Sequence, residues 1–195
     1  MYNALAALVA GIGMGLNVRE TVSNLADLPQ IPGRLESVSE GRPFDVFVDY
    51  AHTPDALSNA LLTLEELKPR RLIVIFGCGG DRDVTKRAQM GNVAASIAHY
   101  TIITSDNPRN EPPSKIIGEI ESGFEGTNYE IVEDRREAIA LGVSYLLPGD
   151  ILLIAGKGHE TYQEISGQRE DFDDRIVAGQ MLSDRDHVFA DMVRE

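Results

Sequence analysis

Four short stretches of this chain concentrate side chains able to bind a charged molecule, and each follows an apolar run. They are Asp49-Tyr50-Ala51-His52-Thr53-Pro54, Cys78-Gly79-Gly80-Asp81-Arg82-Asp83, Ser105-Asp106-Asn107-Pro108-Arg109 and Gly156-Lys157-Gly158-His159-Glu160. The third is the most informative. Pro108 fixes its own φ and holds Asn107 extended, and Pro112-Pro113 stiffen the far side, so little conformational entropy remains to be lost when a ligand docks. On such a frame the Arg109 guanidinium can fork onto a carboxylate, while Asp106 and Asn107 take amino or amide groups. In the fourth stretch Glu160 is an acceptor for a second ammonium, and Gly156 lets a backbone carbonyl approach closely. The combination suits a zwitterionic amino acid better than a sugar or a purely anionic substrate.

The other two stretches admit two readings each. In the first, Thr53 caps a helix, Pro54 takes its first position and Asp55 meets the positive end of its dipole, which leaves Asp49 and His52 for a ligand-facing role. In the second, Gly79 and Gly80 permit close approach to backbone N–H groups, with Arg82, Lys86 and Arg87 supplying positive charge. A solvated turn with Arg82 paired to Asp81 or Asp83 accounts for the same residues. Lys157, likewise, is either part of the site or solvated in a turn.

These loops need a scaffold, and the chain has the pattern for one. After "DLPQIPGR" breaks two N-terminal helical runs, Tyr2 to Met14 and Val18 to about Ala26, apolar strands alternate with helices five times. The strands are "FDVFVDY", "RLIVIFG", "YTIITS", "YEIV" and "DILLIAG". That order predicts a Rossmann-like α/β fold, a mostly parallel sheet with helices on both faces. "TYQEISGQREDFDD" then predicts a C-terminal antiparallel hairpin turning at Ser166-Gly167 and an antiparallel edge, "DRIVAGQMLSD" a last helix, and "DRDHVFADMVRE" a partly ordered tail. In an open sheet of this kind ligands sit beyond the carboxyl ends of the strands, where all four polar stretches fall.

Composition narrows the partners. The 195 residues carry 18 Lys and Arg against 31 Asp and Glu, a net charge of −13 that disfavours nucleic acid and anionic membrane. The single cysteine, Cys78, leaves no internal disulfide and suits the cytoplasm, and "MYNALAALVAGIGMGLNV" is too short to span a bilayer and lacks a basic start. No phosphate-loop motif occurs: "GKGHE" lacks the Ser or Thr, and "GIGMG" lies in a helical run. No G-x-S-x-G elbow occurs, and His52, His99, His159 and His187 are too scattered to predict a metal site made by this chain. His99 is expected at an element boundary.

With these loops in order, the sequence resembles the Mur ligases through "YNALAA", "PGRLE", "VDYAHTPDAL", "IVIFGCGGDRDVTKR", "TSDNPR" and "AGKGHETYQ". It departs from the pattern at Ala88, where proline is usual, and at Ile176, where an acidic residue is common. "DNPR" resembles the branch that takes meso-diaminopimelate rather than lysine. The resemblance implies that Arg109 grips the distal carboxylate of meso-diaminopimelate beside Asn107 and Asp106, that Arg82 binds a carboxylate, and that Gly156 and Glu160 hold the distal ammonium. Arg34, Asp49 and His52 match positions associated with ATP, and Lys86 is implied to reach the reacting phosphate.

The implied reaction is peptidoglycan synthesis in the cytoplasm. ATP, with Mg²⁺, converts the glutamyl carboxylate of UDP-N-acetylmuramoyl-L-alanyl-D-glutamate to an acyl phosphate, which the amino group of diaminopimelate attacks. The family has three domains, and the resemblance assigns residues 1–32 to the tail of the central ATP-binding domain and 33–195 to the C-terminal one. The phosphate loop and most Mg²⁺ ligands then lie in the N-terminal and central domains, and the isolated chain is expected to be inactive. A stand-alone amino-acid or nucleotide binding module is the alternative, as is a sibling amide ligase, either a lysine-adding Mur enzyme or a folylpolyglutamate synthetase.

Overall fold

A computed structural model describes residues 2–192 of the chain, with side chains for residues 4–187. Contacts divide it into two compact units, one ending at Ile31 and one starting at Pro32. In the first, α1 (Tyr2–Gly13) and α2 (Val18–Ala26) form a helical hairpin. Asn17 starts α2 by accepting from the N–H groups of Arg19 at 2.9 Å and Glu20 at 3.3 Å, which satisfies two donors that lack helical partners. The helices pass closely at Gly11, where a Cβ would stand 3.2 Å from the Thr21 methyl. Leu5, Val9 and Ile12 of this unit are exposed.

The second unit is a three-layer sandwich. Its sheet contains β1 (Glu36–Ser37), β2 (Asp45–Asp49), β3 (Leu72–Phe76), β4 (Tyr100–Ile103), β5 (Tyr129–Ile131) and β6 (Ile151–Ala155) in the order β1-β2-β6-β3-β4-β5. All neighbours are parallel except β1, which runs antiparallel to β2. The central strands β3 and β6 read LIVIF and ILLIA and are buried at every position, as strands covered on both faces must be.

The two-residue period of a strand sends alternate side chains to opposite layers. Val74, Phe76, Leu153 and Ala155 meet Leu57, Leu61, Met90, Ala94 and Ile117 from α3 (Pro54–Glu65), α4 (Thr85–Ile97) and α5 (Pro113–Glu121). Ile73, Ile75, Leu152 and Ile154 meet Ala138, Ile139, Val177 and Leu182 from α6 (Arg135–Tyr145) and α7 (Asp174–Met192). Truncating one such side chain, Phe76 for instance, would cost about 3 to 5 kcal/mol through lost burial and an unfilled cavity.

The layers decide where a ligand can enter. Chain leaving β2 and β3 crosses to α3 and α4 on one face, whereas chain leaving β6 ends in α7 on the other. The loops therefore part at the carboxyl end of β6, where a crevice opens.

Three details differ from the sequence-based expectation. The hairpin of β7 (Tyr162–Ile165) and β8 (Gln168–Asp171) forms a separate two-stranded sheet, and the antiparallel edge of the main sheet is β1. A hairpin whose residues are all half-buried or exposed has no face to bury under the helical layers. The last helix continues to Met192, since Ser183 to His187 contain nothing that stops a helix. Val193, Arg194 and Glu195, the end of the expected tail, lie outside the described residues.

Candidate ligand-binding cleft

The loops after β2, β3, β4 and β6 converge on an open cleft of about 460 Å³, closed on one side by Tyr162 of the hairpin. Of the residues proposed from sequence, His52, Arg82, Lys86, Asp106, Asn107, Arg109, Gly156 and Glu160 line it. Tyr50, Thr53, Gly79, Asp83 and Tyr162 complete the wall. Arg34 and Asp49 stand outside.

The loops after β4 and β6 bring two carboxylates to the cleft. Asp106 and Asn107 are buried directly after β4, and Asp106 Oδ1 accepts from the Asn107 N–H at 2.7 Å. Gly156 has φ +115°, and a Cβ there would lie 2.6 Å from Asp106 Oδ2, so only glycine lets this carboxylate face the loop after β6. Burial pushes the Asp106 carboxyl above its ordinary range, against the pull of Arg135 and Lys157. Asn107 Nδ2 donates to Glu160 Oε2 at 2.8 Å, which ties the second carboxylate to the same loop.

Lys157 is not solvated. It is 0% exposed, with Nζ donating to the Tyr162 carbonyl, to Asn107 Oδ1 at 3.1 Å, and lying 3.5 Å from Glu160 Oε2. Burial pushes its pKa down while Asp106 pulls it up. Nothing in "GKGHE" beyond the lysine's place directly after a fully apolar strand signals this role.

The cations come from the loop after β4, the loop after β3 and the start of α4. Arg109 adopts φ +52°, uncommon for a residue with a Cβ, and its Nη1 donates to the Gly80 carbonyl at 2.7 Å. The side chain fits over the loop after β3 because Gly79 is bare: a Cβ there would be 2.9 Å from Arg109 Nη1. Arg82 is exposed at the rim and donates to the Asp81 carbonyl at 3.0 Å. Lys86, in the first turn of α4, reaches the His52 carbonyl at 2.7 Å and so links two of the loops. Arg87, grouped with these cations in sequence, turns inward instead. It is fully buried, bonding Glu111 at 2.7 Å, Glu119, and the Gly79 carbonyl at 3.2 Å, so it fastens the β4 loop to α4 rather than charging the cleft.

A ring cluster flanks the cleft at the end of β2. The Tyr50 ring lies 4.5 Å from His52 and 5.3 Å from His159, and the Arg34 guanidinium stands 5.0 Å above it. Asp49 organises this corner from below, its Oδ2 accepting from Leu35 N at 2.7 Å and Oδ1 from Ala51 N at 2.8 Å. Thr53 caps α3 through Ala56 N at 3.3 Å, with Pro54 at the first helical position, which is the helix start read from the sequence. His99 sits at a boundary, its Nδ1 accepting from Leu72 N at 3.0 Å. Among the described residues no three His, Cys, Asp or Glu side chains gather as a metal cage.

Beneath the cleft lies an ion pair that sequence reading missed. Arg135 and Asp174 are both fully buried and joined by two bonds of 2.8 and 2.7 Å. Arg135 also donates to the carbonyls of Ser105 at 3.2 Å and Ala155 at 3.0 Å, which sets the ends of β4 and β6 relative to one another. Within the described residues no helix is long and apolar enough to cross a membrane.

The chain is 48% identical over 182 residues to the UDP-N-acetylmuramoyl-L-alanyl-D-glutamate--2,6-diaminopimelate ligase of Bacillus velezensis, covering 93% of this chain and 37% of that protein. The protein of that name from Syntrophomonas wolfei is 49% identical over 185 residues, covering 93% and 38%. The chain thus spans a little over a third of the length of these relatives. A solved structure of a ligase of the same name superposes with a TM-score of 0.76 at 40% identity, covering 94% of this chain and 38% of the other. E. coli FolC in complex with ADP, at 19% identity and a TM-score of 0.63 over 96% of this chain and 40% of its own, shares the fold. The family model described as "Mur ligase, glutamate ligase domain" matches residues 33–158, and the chain belongs to the Mur ligase family.

Proposed function

We propose that this chain is the amino-acid-selecting part of an ATP-dependent ligase that joins meso-diaminopimelate to UDP-N-acetylmuramoyl-L-alanyl-D-glutamate in the cytoplasm. The observation that carries the reading is that one cleft is lined by both signs of charge, Arg82 and Arg109 together with Asp106 and Glu160. A diamino diacid has a carboxylate and an ammonium at its far end, and each finds its opposite here. The two curated relatives compared above are named for such a ligase.

In this reading Arg109 and Arg82 take the distal carboxylate, with Asn107 and Asp106 beside it, and Gly156 and Glu160 receive the distal ammonium. The substrate ATP lies against the rings of Tyr50 and His52, beside Arg34, while Asp49 acts through the backbone it holds. Lys86, which lines the cleft and reaches the His52 carbonyl, is the cation assigned to the reacting phosphate. These residues orient the attacking amine and supply charge, so rate comes from positioning and electrostatics. Residues 1–32 belong, in the same reading, to the central domain, and Mg²⁺ is held mainly by residues outside this chain.

The test is a binding panel. Calorimetry with the 195-residue chain should detect meso-diaminopimelate and give at least tenfold weaker binding of L-lysine, which lacks the second carboxylate and would leave Arg109 without its anion. Equal affinity for both would defeat the assignment.

A further inference from the structure

The Asn107 side-chain amide has two faces with opposite chemistry, and which way it points decides what the cleft offers a ligand. Its Oδ1 meets two groups that can only donate, the Lys157 ammonium at 3.1 Å and the Glu164 backbone N–H at 2.9 Å. The reverse orientation would set an NH₂ against both donors. The amide is therefore fixed with Nδ2 toward Glu160 Oε2, 2.8 Å away, an orientation that follows from the partners rather than from any observed hydrogen.

Lys157 does more than hold the amide. The same Nζ donates to the carbonyl of Tyr162, the first residue of β7, and lies 3.5 Å from Glu160 Oε2, so one ammonium joins the loop after β4, the loop after β6 and the hairpin. The hairpin in turn pairs with the backbone of Arg109. Lys157, which itself does not line the cleft, thus joins these segments from a buried position, alongside the bond from the Gln163 amide to the Asp106 carbonyl at 2.8 Å.

We infer that Lys157 is a positioning residue for amino-acid selection, a buried cation that locks the Asn107 amide toward Glu160 and sets the spacing between that carboxylate and Arg109. The inference rests on the proposed diaminopimelate site for its ligand and on the hydrogen-bond geometry alone for the lock.

A Lys157→Met substitution separates positioning from the two simpler roles. Were Lys157 only a counter-charge, its removal would leave Asp106 and Glu160 less neutralised, and a ligand ammonium would bind more tightly. Were it only a structural prop, a folded variant would bind unchanged. Positioning predicts the opposite sign: by calorimetry on the full chain, meso-diaminopimelate binds at least tenfold more weakly to Lys157→Met.

Nuclear magnetic resonance reads the lock directly. The Asn107 side-chain NH₂ pair should be shifted and protected from exchange in the unmodified chain, and should move to solvent-like shift and exchange in the variant. Lys157→Arg carries the test where Lys157→Met fails to fold. It keeps the buried charge but cannot place one nitrogen against Asn107 Oδ1, the Tyr162 carbonyl and Glu160 together, so it should loosen the Asn107 amide and lose at least tenfold in affinity.

Unchanged or tighter binding in a folded variant overturns the inference, as does an Asn107 pair that behaves identically with and without Lys157. Failure of the unmodified chain to bind meso-diaminopimelate defeats the functional reading instead, and the Asn107 signals still decide the lock.

Discussion

Arg109 and Ile165 form an isolated parallel bridge between the loop after β4 and the tip of the hairpin. The Arg109 N–H donates to the Glu164 carbonyl at 2.9 Å, and the Ser166 N–H donates to the Arg109 carbonyl at 2.6 Å. This pairing explains how a non-glycine residue keeps φ +52°, a conformation whose cost of roughly 1 kcal/mol or more is met by two backbone bonds. It also fastens the hairpin, whose Tyr162 lines the cleft, to the loop after β4, although the hairpin belongs to neither face of the main sheet.

Arg109→Ala keeps those backbone bonds and removes only the guanidinium. Losing the charged partner of a bound carboxylate costs about 2 to 5 kcal/mol, so the Kd for meso-diaminopimelate should rise by about 30-fold or more, with ATP binding unchanged. Isothermal titration with each ligand in turn measures both, and a Kd that stays put removes Arg109 from the site.

Gly156→Ala should both destabilise the chain and disturb the cleft. With φ +115° and a would-be Cβ 2.6 Å from Asp106 Oδ2, alanine there strains the backbone and displaces the buried carboxylate. A loss of about 1 to 3 kcal/mol in urea unfolding is expected. Gly167→Ala is the control: its φ of +75° is also left-handed, but nothing lies within 4 Å of the added carbon, so the loss should be smaller. Equal losses at both sites would mean that the Asp106 contact contributes nothing.

How far the sequence revealed this arrangement follows from the range of the forces involved. Strands such as Leu72–Phe76 and Ile151–Ala155 were legible because burial on both faces leaves a continuous apolar run, and loops such as Asp106 to Arg109 because proline restricts the chain locally. β1 was not legible. Two residues, Glu36 and Ser37, pair with Val48 and Phe47 in a segment held by bonds between residues distant in sequence, among them the Leu35 N–H to the Asp49 carboxylate 14 positions away and the Val46 N–H to Ser39 Oγ.

Lys157, Arg87 and Arg135 show the same limit from the side of charge. A cation's burial depends on partners distant in sequence: Asn107 for Lys157, Glu111 and Glu119 for Arg87, Asp174 for Arg135. Residue type alone argues for exposure in all three cases.

Glu111→Gln tests the Arg87 cluster by pH. Hydrogen bonds from Arg87, the Asp81 N–H and Lys115 hold the Glu111 carboxyl well below its ordinary value of 4.5. The folded chain therefore binds this proton less readily than the unfolded chain. The stabilisation is fully present above pH 4.5 and is lost as pH falls below it. The variant should be less stable than the unmodified chain at pH 7, and the gap should narrow steadily below pH 4.5. Chemical denaturation across pH 3 to 7 checks the slope, and a gap that is constant with pH would show that Glu111 is not coupled to a charge.

The Arg135–Asp174 pair gives the most demanding prediction, because it separates what an interaction is worth from what its removal costs. Neither side chain is exposed, and the pair is flanked by the ends of β4 and β6. Asp174→Ala leaves the guanidinium buried without its anion and should cost about 3 to 5 kcal/mol. Replacing both, as Arg135→Met with Asp174→Leu, removes the stranded charge and restores apolar contact, so the double variant should be more stable than Asp174→Ala alone. It should not regain full stability, since the Ser105 and Ala155 carbonyls lose a donor, at about 1 to 3 kcal/mol for each group left unpaired. Urea unfolding of Arg135→Met, Asp174→Leu and the double variant closes the cycle, with Asp174→Ala measured beside it. A double variant no more stable than Asp174→Ala would mean that the lost carbonyl bonds, not the unpaired charge, dominate at the junction beneath the cleft.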